Sequence, residues 1–129
     1  MSLEKQNKIL VLEYFNSVSG KTKTLDLISK YVSDQAFIEH VLFFDAAFPK
    51  YEVILDEMTA EGNRVVTRAR MLAKHEGFFG DIMPTYRTVD LPFVVTFTID
   101  NNKIVSHWLI ADQMVLMEQL GIESTSAEH

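Results

Sequence analysis

The chain has 129 residues, no Cys and a net charge of -6, with Asp and Glu outnumbering Lys and Arg by 18 to 12. That length suits one domain able to bury roughly two-thirds of its unfolded surface. Thiol chemistry, disulfides and zinc–thiolate sites are excluded, and the acidic balance without a basic cluster argues against nucleic acid as a partner. No apolar run approaches the ~18 residues that cross a bilayer, and "MSLEKQNK" lacks the apolar stretch of a signal peptide, so a cytoplasmic protein without membrane association is expected.

The first third carries helical spacing. Leu10, Tyr14 and Val18, flanked by Val11 and Phe15, predict a helix that Gly20 ends. Leu25, Ile28 and Val32 mark a second helix, with Thr22 or Thr24 as its N-cap. Asp34 opens a third, whose stripe is Phe37, Val41 and Phe44, widened by Ile38 and Leu42, and Pro49 closes the region.

After Pro49 the period changes to two. "YEVILDEMTA" and "RVVTRARMLAKH" read as strands joined by the turn "EGN". In the second of these, Val65, Thr67, Ala69, Met71, Ala73 and His75 share one face, opposite Arg68, Arg70 and Lys74. "LPFVVTFTI" aligns Leu91, Phe93, Val95, Phe97 and Ile99. "DNN" predicts a tight hairpin, because Asn tolerates positive φ. "KIVSHWLIAD" is the last strand, and a short helix follows it to Gly121. Helices, then an antiparallel meander, then a helix describe an α+β domain over 1–122 with a polar tail over 123–129.

Chemistry-bearing residues are few. Absent a bulge, Ile104, Ser106, Trp108, Ile110 and Asp112 are in phase, so Asp112 shares a face with large apolar groups, while Val105, His107 and Leu109 point the other way. Two readings of Asp112 stand. It is an N-cap for the helix that follows, which lowers its pKa, or a buried carboxylate among Trp and Ile, which raises it. His107 is expected to face solvent or a neighbouring subunit, and His129 lies in the tail. His40 lies on the third helix, three residues after Phe37 and one before Val41, where a histidine at the edge of the apolar stripe is the plain reading. His75 ends a strand before "EGFFGDIMPT", whose Gly, Phe and Pro suit a hydrophobic rim; His is the side chain best matched to proton transfer near neutral pH. No metal-ligand spacing, phosphate loop or dinucleotide fingerprint is present, so neither metal nor cofactor is expected.

Several segments together carry a resemblance: "AFPKYEV", "EGNRVVTRARMLAKHEGFFGDIMPT" and "KIVSHWLIADQMVLMEQLG". Their order and content resemble the SnoaL-like polyketide cyclase family, also called ester cyclases, of the nuclear transport factor 2-like superfamily. Matching positions include Ala47–Phe48–Pro49, His75 and Gly77, Gly80, Pro84 and Thr85, Trp108 and Asp112, and Gln119–Leu120–Gly121. Tyr86 stands where the family usually has Gly, and Asn63 where it usually has Asp. The resemblance implies a cone-shaped α+β barrel, a curved sheet wrapped around the N-terminal helices and one deep apolar pocket. It implies a cofactor-free acid/base enzyme of cyclase or isomerase type acting on a small hydrophobic, carbonyl-bearing molecule, with a non-catalytic binding or dimerisation domain as the alternative. In that reading Asp112 moves the proton, and His75 and His40 orient the substrate or hold an enolate oxygen. Phe48, Met71, Phe78, Phe79, Tyr86 and Trp108 contact the substrate. A homodimer through the outer sheet face is expected, on the family habit and on a mixed outer face bearing Arg68, Arg70, His107 and Leu109.

Overall fold

The computed structural model describes residues 1–122; the polar tail expected over 123–129, with His129, lies outside the described residues. Three helices open the chain. They are α1 (Leu3–Val18), α2 (Leu25–Ser29) and α3 (Gln35–Ala47), and each starts at a side-chain cap. Ser2, Thr24 and Asp34 accept from the backbone N–H of Lys5, Leu27 and Phe37 respectively, satisfying donors that have no partner inside the helix. The second helix is shorter than Leu25, Ile28 and Val32 predict. Residues 31–33 instead pair with the last strand: Ile104 N–H donates to Tyr31 O at 2.8 Å and Ser33 N–H to Ile104 O at 2.9 Å. Lys103 Nζ then donates to Ser29 O at 2.6 Å and Lys30 O at 3.1 Å, closing the end of α2.

Four antiparallel strands follow as a meander in the order β1 (Glu52–Glu61), β2 (Arg64–Lys74), β3 (Thr88–Asp100), β4 (Lys103–Ala111), and α4 (Gln113–Leu120) ends the described chain. The β3–β4 hairpin turns on Asn101 and Asn102, both at positive φ (49° and 58°), as a two-residue turn of matching twist requires. The inner face of the sheet packs on the helices: Val65, Ala69 and Met71 from β2 and Leu91, Val95, Phe97 and Ile99 from β3 are buried against Leu10, Val11, Tyr14, Phe15 and Val18 of α1.

Two bulges set which side chains look inward. In β1, Leu55 opposes Ala69 and Glu57 opposes Arg68, leaving Asp56 as an extra residue. In β4, Ile104 opposes Ile99 but Ser106 opposes Thr98, leaving Val105 extra. One extra residue reverses the parity of everything beyond it. Ile104 faces the core, yet further along it is His107, Leu109 and Ala111 that face inward, while Ser106, Trp108, Ile110 and Asp112 lie outside. The uninterrupted alternation expected for this strand is corrected accordingly.

The segment between β2 and β3 is pinned at both ends. Glu76 and Gly77 N–H both donate to Ala47 O, and His75 exchanges backbone bonds with Arg87 and Tyr86. Position 77 must be glycine: a Cβ there would lie 2.1 Å from Ala46 O.

Candidate active site

A cavity of about 120 Å³ lies between the helices and the inner sheet face. α1 supplies Tyr14 and Phe15. α3 supplies Phe37, His40, Val41 and Phe44, which its 3.6-residue period places on one face. Tyr51 and Val53 enter from the start of β1, Met71 from β2, and Leu91, Phe93 and Val95 from alternate positions of β3. Leu109, Ala111 and Gln113 complete the wall from β4 and the start of α4. Tyr14, Phe15, Phe37, Val41 and Val95 are buried and form the floor. His40, Phe44, Leu109 and Ala111 are half-buried and Gln113 is exposed, so the cavity opens between α3 and the β4–α4 junction.

The lining residues with polar side chains are His40, Tyr14 and Tyr51, besides Gln113. The His40 ring stacks on Phe37 (centroids 6.1 Å apart) and leans on Phe44 (4.6 Å). Burial pushes its pKa down, and the nearby His107 adds to this, so the imidazole is neutral and free to accept a proton at pH 7. Burial pushes both tyrosines up; Tyr51 raises Tyr14 further, and Asp45 does the same to Tyr51. Both therefore remain O–H donors across the working range.

Tyr51 is anchored from behind. Lys23, fully enclosed, donates from Nζ to Tyr51 O at 2.6 Å and to Lys21 O at 2.9 Å, lies 3.8 Å above the Tyr51 ring, and meets Asp45 Oδ1 at 3.5 Å. Burial lowers its pKa to about 8, against the opposing pull of Asp45.

The structure brings together only part of the set expected from sequence. His40 and Met71 line the cavity. Asp112 does not: it is exposed on the outer side of the sheet, where its Oδ1 accepts from Val115 N–H at 3.1 Å and caps α4. Trp108 and Ile110 share that outer face, 60% and 55% exposed, because the Val105 bulge turned it outward. His75 is wholly buried but lies behind the cavity, against Phe48 (5.2 Å). Its Nδ1 accepts from Thr85 N–H at 3.1 Å, which leaves the proton on Nε2, a buried atom with no partner among the described residues. Burial lowers its pKa. Phe48 and Phe79 form an aromatic cluster with Phe44, and Phe78 and Tyr86 are exposed rather than folded over a mouth. His107, expected to face outward, is half-buried on the inner face and paired with Asp34 at 2.6 Å.

Tyr14, Tyr51, Phe44, Phe93, Leu109 and Gln113 are among the lining residues that site reasoning from sequence passed over. A signal existed for Tyr14. It occupies a core position between Leu10 and Val18, where a hydroxyl needs either a partner or a polar space. Leu109 carried none, since its direction depends on the bulge. Among the described residues no group of three or more His, Asp or Glu is placed to hold a metal ion.

The family model described as SnoaL-like polyketide cyclase matches residues 18–120. No curated protein matches the chain. Among solved structures, it is similar to a candidate SnoaL-like polyketide cyclase from Jannaschia sp. CCS1 (TM-score 0.82, 22% identity, covering 96% of this chain and 97% of that one). It is also similar to AclR, a candidate hydroxylase from Streptomyces galilaeus (0.79, 24%, 92% and 82%). A third is IdmH, a candidate polyketide cyclase from Streptomyces antibioticus (0.75, 17%, 91% and 99%). These likenesses confirm the α+β cone and its curved sheet. With four-fifths of its length matched by the family model, the chain belongs to the SnoaL-like polyketide cyclase family.

Proposed function

We propose that the protein catalyses cofactor-free proton transfer at a carbon next to a carbonyl, with His40 as the base and the Tyr14 and Tyr51 hydroxyls as donors to the oxygen. One observation carries this reading: a neutral imidazole and two protonated phenols line a cavity whose other side chains, apart from Gln113 at the mouth, are apolar. In the reaction His40 takes the α-proton, the C–H electrons become the enolate π bond, and the carbonyl oxygen takes up the charge. Two hydroxyls in a low-dielectric space stabilise that charge more than water does, because they need no reorientation. Reprotonation at another carbon gives an isomer; attack of the enolate on a second carbonyl of the same molecule gives a ring. Membership of a family named for polyketide cyclases agrees with such chemistry.

The test is exchange of α-hydrogens of a small ketone for deuterium, followed by NMR. His40→Gln removes the base and is expected to bring exchange to the background rate while ligand still binds. Tyr14→Phe is expected to slow it by about 10²-fold, the usual scale for one oxyanion donor. A second reading is binding without turnover, favoured by the outward position of Asp112 and the lack of any carboxylate on the cavity wall among the described residues. Wild-type exchange no faster than that of His40→Gln would establish it.

A homodimer through the outer sheet face belongs to the same proposal. Val66, Trp108 and Ile110 are exposed there beside Arg68, Arg70, Asp56 and Asp90, so the face offers apolar area and charges of both signs. A surface that is its own complement suits a two-fold interface. Sedimentation is expected to give a dimer that Trp108→Glu converts to a monomer.

A further inference from the structure

We infer that the ligand of this cavity is an uncharged molecule built on one six-membered ring with a short carbonyl-bearing substituent, and not a polycyclic ketone. The carbonyl rests on the proton-transfer reading above; the size and the absence of charge do not.

Charge is settled by the wall. None of its fifteen residues is Asp, Glu, Lys or Arg. The nearest buried cation, Lys23, has already committed its ammonium to Lys21 O, Tyr51 O and Asp45. A carboxylate, phosphate or ammonium on the ligand would be taken out of water with no opposite charge to meet it, which is prohibitive in an apolar site. Besides Gln113 at the mouth, three polar groups remain, two that donate and one that accepts, and they complement a carbonyl with an adjacent acidic hydrogen.

Size is settled by volume and by what lies behind the walls. A dry cavity of about 150 Å³ accommodates one benzene ring. The space here is about 120 Å³ and is open at one end, so its enclosed part holds no more than one ring and the rest of the ligand lies in the mouth. It cannot deepen, because Tyr14 and Val95 on its floor are buried and packed against Phe97 and the rest of the core. Phe37, Phe44 and Phe93 offer ring faces and edges against which a flat six-membered ring packs well. The limit on size is therefore set at the half-buried mouth, by Leu109 and Ala111 of β4.

The experiment is a binding panel read by calorimetry and thermal shift on the full chain: acetophenone, benzoate, benzylamine, 1-tetralone (two rings) and anthrone (three rings). Acetophenone is expected to bind and raise the melting temperature, with benzoate and benzylamine weaker by about tenfold or more from their unpaired charge. Anthrone is expected not to bind. Ala111→Leu, which adds bulk at the mouth, should weaken acetophenone. Leu109→Ala, which opens it, should improve 1-tetralone relative to acetophenone. Anthrone or benzoate binding as tightly as acetophenone would overturn the inference, and so would failure of acetophenone to bind a folded wild type. The panel reads occupancy and not turnover. If acetophenone binds but exchanges no deuterium, the ligand class stands and the proton-transfer reading falls.

Discussion

His107 Nδ1–H donates to Asp34 Oδ2 at 2.6 Å, and this bond ties the start of α3 to the middle of β4 across the entrance side of the cavity. The carboxylate can only accept, so it holds His107 with its proton on Nδ1. The other oxygen of Asp34 accepts from Phe37 N–H at 3.2 Å and caps α3. Asp34→Asn keeps the cap and is expected to cost about 1 kcal/mol. Asp34→Ala loses the cap and strands a half-buried N–H, for roughly 2–3 kcal/mol. Denaturant titration measures both, and ¹⁵N NMR is expected to show the His107 tautomer shifting to Nε2–H in the alanine variant.

Asp112 gives the opposite contrast. Its carboxylate is exposed and its visible bond is to Val115 N–H. Asn caps as well as Asp, so Asp112→Asn is expected to melt like the parent and bind acetophenone like the parent, whereas Asp112→Ala costs about 1 kcal/mol. Loss of deuterium exchange in Asp112→Asn, with binding intact, would return the proton-transfer role to this residue.

Thr67 is fully buried on the inner face of β2, and its Oγ1 has no partner among the described residues. An unpaired buried hydroxyl is a net cost. Replacing it by a methyl of similar shape is expected to stabilise by about 1 kcal/mol, raising the melting temperature with the cavity unchanged. A lower melting temperature for Thr67→Val would show that the hydroxyl has an acceptor.

Acid is expected to weaken the fold through His75. Burial lowers its folded pKa below the ordinary 6.5, so the unfolded chain takes up a proton first as pH falls. Stability is therefore full above about 6.5 and declines below it. His40, lowered for the same main reason, adds in the same direction. The slope of melting temperature against pH between 7 and about 5.5 should be shallower in His75→Gln and in His40→Gln than in the parent.

Lys23 acts in the same direction at higher pH. Its pKa falls from 10.5 to about 8 on folding, so between these values the unfolded chain holds a proton that the folded one has released. The contribution of Lys23 to stability therefore rises with pH across that window. The raised tyrosines work against this above ~10, where the unfolded phenols ionise first. Comparing parent and Lys23→Met by thermal melts from pH 7.5 to 10 isolates the effect: the parent should gain on the variant as pH rises.

Much of the fold is legible one segment at a time. Asp34, Thr24 and Asp112 announce helix starts because a cap bonds only two or three residues ahead. Asn101 and Asn102 announce a hairpin because positive φ is a property of the residue itself. The stripe of Phe37, Val41 and Phe44 and the alternation of Leu91, Phe93 and Val95 identify inward faces, since period alone decides them. His40 and Met71 were within reach on the same grounds.

The site depended on relations between segments. Whether Leu109 or Trp108 lines the cavity turns on the single extra residue Val105, and that bulge lies beside Ile104, which bonds Tyr31 and Ser33 on one side and pairs with Ile99 on the other. Both residues are apolar enough to be core, so composition could not choose between them. Tyr14 and Tyr51 lie 37 positions apart in sequence and become a pair of donors only when α1 packs under the start of β1. Local propensity and period act over a few residues and fix the elements. The direction of one strand edge, the outward turn of Asp112 and the meeting of His40 with two tyrosines are set by strand pairing and core packing, which act between residues far apart in the chain.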